Sequence, residues 1–79
     1  MKLPRDLDAA ALIKALARMG YAPVRQTGSH IRLACDHPTH SMTIPNHRPI
    51  KVGTLAAILA DVAQAHALSR EQVMARLFD

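Results

Sequence analysis

The chain has no tryptophan, one tyrosine and one phenylalanine, so it lacks the aromatic side chains on which single-strand binders stack bases. It has one cysteine, Cys35, which cannot close an intrachain disulfide, whereas a small secreted domain would normally carry several. Its longest uninterrupted apolar run, Leu55 to Ala60, is six residues, against about 20 for a membrane span. Nor does a secretory signal fit the start of the chain: Asp6 and Asp8 follow Lys2 and Arg5 closely, with no apolar stretch of signal length before Lys14. A cytoplasmic location is the expectation. At 79 residues there is room for one thin core, and residues 1–79 are read as a single domain.

Hydrophobic residues make up 49% and charged residues 20%, a globular rather than a disordered balance. The net charge of +4 is unevenly spread. Residues 21–54 hold Arg25, Arg32, Arg48 and Lys51 against Asp36 alone, with four of the five histidines, whereas residues 55–79 balance to −1. A basic central block points to a polyanion, nucleic acid first.

Apolar residues at Ala9, Leu12, Ile13, Leu16 and Ala17 have the spacing of an amphipathic helix, with Asp8 as N-cap and Gly20 as its stop. From Tyr21 the period changes. Tyr21–Gln26 alternates as an edge strand, Thr27-Gly28-Ser29 is a turn, and His30–Cys35 alternates with Ile31, Leu33 and Cys35 on one face. A turn at Asp36–His40 precedes a short strand, Ser41–Ile44. Connections this short dictate antiparallel pairing. After a loop at Pro45–Lys51, a second helix follows Gly53, with Thr54 as N-cap and Leu55, Ile58, Leu59, Val62 and His66 on one stripe. Ser69 and Gln72 form a capping box for a last short helix, with Leu68 and Val73 in the staple positions. The expected fold is α+β, in the order α-β-β-β-α-α, with a three-stranded antiparallel sheet and its helices on one face. The open face should then carry Tyr21, Arg25, His30, Arg32 and Thr43.

A histidine flanked by arginines on an open face suits phosphodiester chemistry. Imidazole can lend and take a proton near neutral pH, and guanidinium matches phosphate oxygens bidentately. His47, Arg48 and Lys51 on the loop add a second histidine and further cations near the sheet rim. Cys35, His37 and His40 do not have a zinc-site spacing, and an inward thiol does not converge with turn histidines, so no metal is expected. His66, on the apolar stripe, reads as a half-buried packing residue.

Gly28-Ser29-His30 at a turn-to-strand junction, then Pro45 and His47, then Gly53-Thr54-Leu55 with Ile58-Leu59, resembles the HicA toxin family, whose fold is similar to the double-stranded RNA-binding domain. The resemblance runs from about Leu3 to Phe78. It implies an mRNA interferase of a type II toxin–antitoxin pair, a metal-independent endoribonuclease with no cofactor. It also implies RNA as substrate, a HicB-type antitoxin as partner, and His30 as the catalytic residue. Arg25, Gly28, Ser29, Arg32, Arg48 and Lys51 would then bind RNA, with His47, His40 or water as the second acid–base group. The histidine-rich turn at Asp36–Ser41 departs from the family pattern and is what brings His40 into question. The alternative reading is a non-catalytic double-stranded RNA-binding module, in which His30 only contacts the backbone.

Overall fold

The computed structural model describes residues 3–79. The first helix, α1 (Ala9–Leu16), starts where Asp8 in extended backbone accepts a 2.8 Å hydrogen bond from the Ala11 amide. It tightens into a 3₁₀ turn at Ala17–Met19 and stops at Gly20, whose φ of +94° is open to glycine without strain. A Cβ there would also come within 3.3 Å of the Cys35 Sγ. Leu12 and Leu16 are fully buried, as their spacing requires.

Three strands follow: β1 (Ala22–Thr27), β2 (His30–Asp36) and β3 (Thr39–Pro45). They form one antiparallel sheet in the order β1-β2-β3. Both hairpin loops are tighter than the sequence suggested. Thr27 pairs with His30 across Gly28-Ser29, and Asp36 pairs with Thr39 across His37-Pro38. Gly28 has φ of +58°, the left-handed conformation that a two-residue hairpin loop demands of its first residue. The third strand therefore begins at Thr39, not Ser41.

Alternation along β2 and β3 sorts the side chains cleanly. Leu33, Cys35, Met42 and Ile44 turn inward and are buried, while His30, Arg32, Ser41 and Thr43 turn outward. β1 breaks the rule. Its register slips between Pro23 and Arg25, leaving Val24 as a bulge that is 63% exposed. One inserted residue reverses the facing of everything on its N-terminal side. Arg25 thus stays outward opposite Arg32, but Tyr21, expected on the open face, is turned into the core and is 2% exposed.

The second helix, α2 (Val52–His66), starts three residues earlier than expected, with Lys51 rather than Thr54 at the N-cap and no side chain closing the end. Tertiary packing explains the shift. Ile50 donates its amide to the Leu7 carbonyl at 2.8 Å, and Ile50 and Leu55, which take the staple positions of this helix, are both buried. The third helix, α3 (Arg70–Phe78), has the expected capping box: the Gln72 amide donates to Ser69 Oγ at 3.1 Å and the Ser69 amide to Gln72 Oε1 at 2.8 Å. Residues of all three helices and of β2 and β3 share one core, centred on Leu12, Leu16, Leu33, Ile44, Leu59 and Val62. The helices cover one face of the sheet and the other face is open. No single helix among the described residues is long and apolar enough to cross a membrane.

Candidate nucleic-acid interface

Arg25, Thr27, His30, Arg32 and Thr43 line a shallow pocket of about 280 Å³ on the open face. The register assembles it. Arg25 faces Arg32 across β1–β2, Thr27 faces His30, and Thr43 faces Arg32 across β2–β3. Directly opposed residues have Cβ atoms about 4.5–5.5 Å apart, and like charges in that position are destabilising. Two facing arginines thus cost the apo fold stability and concentrate positive potential beside an exposed histidine.

Among the described residues, no carboxylate lies within ion-pair distance of Arg25 or Arg32. Among the same residues, the histidine–carboxylate contact is His40 Nε2 with Asp61 Oδ2 at 3.3 Å, on the other side of the sheet. Asp36, the acidic residue of β2, is four residues beyond Arg32, about 13 Å along a strand. Arg32 is held instead by hydroxyls: one terminal nitrogen donates to Ser41 Oγ at 2.8 Å and the other to Thr43 Oγ1 at 3.4 Å.

Gly28 and Ser29 form the hairpin loop at the His30 end of the pocket. The Asn46 amide donates to the Ser29 carbonyl at 2.7 Å, bracing this loop against the connection from β3 to α2. His47, Arg48 and Lys51 sit exposed on that connection, outside the pocket lining. His47 is two residues past Pro45, the cross-strand partner of His30. Its carbonyl accepts from the Ala9 amide at 3.3 Å, which ties the connection to the start of α1.

His40 is not brought to this face. It pairs with Cys35, on the inward side, where its Nδ1 lies 2.7 Å from the Tyr21 hydroxyl and its Nε2 lies 3.3 Å from Asp61. His66 Nε2 completes the cluster at 2.9 Å from the same hydroxyl. The sheet separates His40 from His30, so it cannot serve as the second proton-transfer group. Burial first, and then Cys35 and Asp61, push the Tyr21 hydroxyl up to about 12. It therefore keeps its proton at any working pH. Burial likewise lowers the His66 pKa, with His40 and Arg76 adding to the effect. Cys35 is in the core with its Sγ 3.4 Å from the Met19 carbonyl, and His37 is exposed in the second hairpin loop, so the two do not converge.

Thr27 of the pocket and Ser41 beside it owe their places to cross-strand register. The sequence pattern places Thr27 in a three-residue turn, whereas the two-residue loop Gly28-Ser29 sets it opposite His30. Ser41 carried no chemical signal in the sequence, since its role depends on which residue of β2 it lies beside.

A family model described as the HicA toxin of bacterial toxin–antitoxin systems matches residues 9–64. No curated protein and no solved structure matches the chain.

Proposed function

The chain belongs to the HicA toxin family of bacterial toxin–antitoxin systems, and from that premise we propose that it is an endoribonuclease that cleaves mRNA at the open sheet face. The observation that carries this reading is the pocket itself: two opposed arginines and a histidine with no carboxylate among its lining residues. That donor set suits phosphate oxygens, which accept from guanidinium, and has none of the anionic oxygens that favour a divalent cation. In this reading the reaction needs no metal ion.

In this mechanism Arg25 and Arg32 seat the scissile phosphodiester and stabilise the charge that builds on its non-bridging oxygens. His30 removes the proton from the ribose 2′-hydroxyl, which attacks phosphorus and expels the 5′-oxygen of the next nucleotide. The leaving oxygen takes a proton from His47 or from water, and a 2′,3′-cyclic phosphate remains. Arg48 and Lys51 hold flanking phosphates along the rim, and the Gly28-Ser29 loop brings backbone close to the strand. A HicB-type antitoxin covers the same face and silences it. The protein acts in the cytoplasm, where Cys35 stays a free thiol.

Incubating the purified protein with an end-labelled transcript tests the reading. Cleavage should yield cyclic-phosphate ends, and a single 2′-deoxy substitution should abolish it at that nucleotide. Binding without cleavage would instead establish a non-catalytic RNA-binding module.

A further inference from the structure

The guanidinium of Arg32 is oriented by neutral groups. A carboxylate at position 41 or 43 would fix the side chain equally well but cancel its charge. Hydroxyls fix it and leave the charge whole. The 2.8 Å bond to Ser41 is of full strength by distance, and the 3.4 Å contact to Thr43 is a weaker second tether. Both tethers come from β3, on the side of Arg32 away from Arg25, which faces it from β1. They anchor the guanidinium on the side opposite the like charge it faces. A guanidinium has five N–H donors, so two tethers leave three for an anion.

We propose that Ser41 is a positioning residue: it holds Arg32 in place to receive a phosphate group of RNA beside His30, without neutralising it. Thr43 assists from the next outward position of the same strand. This rests on the ribonuclease reading for the identity of the anion, and not for the tether itself. Holding a long, rotamer-rich side chain in advance removes its ordering cost from binding. Misplacement of a positioning group by an ångström can cost up to about 100-fold in rate.

The test is a double-mutant cycle on the full chain with fluorescein-labelled RNA, reading binding, single-turnover cleavage and melting temperature. Ser41→Ala should bind RNA about 2- to 10-fold more weakly and cleave more slowly, with the melting temperature and the salt slope of binding unchanged, because no charge is lost. Ser41→Thr, which keeps the hydroxyl, should restore both. In an Arg32→Ala background, Ser41→Ala should have no further effect, since its action passes through the missing guanidinium. Wild-type binding and cleavage by Ser41→Ala would overturn the proposal, as would an equal loss with or without Arg32. A wild-type chain that binds RNA but does not cut it would defeat the ribonuclease reading, while the cycle measured on binding alone would still decide the role of Ser41. A wild-type chain that does not bind RNA would overturn both.

Discussion

The Tyr21 hydroxyl lies 2.9 Å from Nε2 of His66 and 2.7 Å from Nδ1 of His40, so one phenol joins α2 to the inward side of the sheet. The phenol keeps its proton and can donate it to one ring nitrogen only. With that proton given to one ring, the phenol oxygen can accept an N–H from the other. The groups facing this cluster are Cys35 and Asp61 toward Tyr21, and Arg76 toward His66.

Acid should weaken the fold through this cluster. The His66 pKa is lowered in the folded chain, so the unfolded chain takes up the proton first as pH falls below about 6.5. Stability then rises with pH through that window and is lost on acidification. Urea midpoints at pH 7.5 and 5.5 should show a decrease, and the decrease should be smaller in His66→Phe. An equal decrease in the variant would assign the acid sensitivity elsewhere.

Tyr21→Phe keeps the ring but removes the shared hydroxyl. It leaves polar nitrogens of His40 and His66 without their partner, a loss of about 1–3 kcal/mol. For a domain of this size each kcal/mol corresponds to about 4–8 °C in melting temperature. Calorimetry at pH 7.5 checks this. RNA binding at permissive temperature should be unaffected, because the cluster is on the far side of the sheet.

The two facing arginines trade stability for potential. Arg25→Thr removes a like-charge pair and places a β-branched residue in an exposed strand, which should raise stability by about 0.2–1 kcal/mol. The same change should weaken RNA binding and lower the slope of log K against log salt by about 0.7–0.9. Charge reversal at Arg32 should go further, slowing antitoxin association together with RNA binding. Antitoxin binding that survives Arg32→Glu would show that the two partners use different surfaces.

His30 is exposed and turned away from the core, so His30→Ala should leave the melting temperature within the range of surface changes, about 0.5 kcal/mol. Cleavage should fall by roughly 10²–10⁴, the usual worth of a general acid–base group. RNA affinity should drop only modestly, since both arginines remain. Undiminished cleavage would transfer the catalytic assignment to His47.

Deleting Val24 should be far more damaging than its exposed position suggests. Without the bulge, residues 21–23 reverse their facing and Tyr21 leaves the core for solvent. The cost should approach that of deleting a buried aromatic, about 3–5 kcal/mol. Val24→Ala keeps the register and should be nearly neutral. Comparable melting temperatures for the two variants would show that the register survives without the inserted residue.

The local pattern by itself determined the elements and most of the open face. Helix period, the Asp8 and Ser69 caps and the strand alternation are set by near neighbours in sequence, so they could be read without the fold. Arg25, His30, Arg32 and Thr43 were legible as one face for the same reason. The tertiary structure decided what depends on a partner strand or a packed core. Whether Val24 bulges is a matter of pairing with β2, and that choice alone put Tyr21 inside. The facing of His40 followed from a two-residue loop at His37-Pro38 that sets Thr39 opposite Asp36. The start of α2 was moved to Val52 by the burial of Ile50 and its bond to Leu7. Ser41 acquired a role only when β3 was laid beside Arg32. Cross-strand register is a long-range property, since it is fixed by which faces are buried, and no window of a single strand contains it.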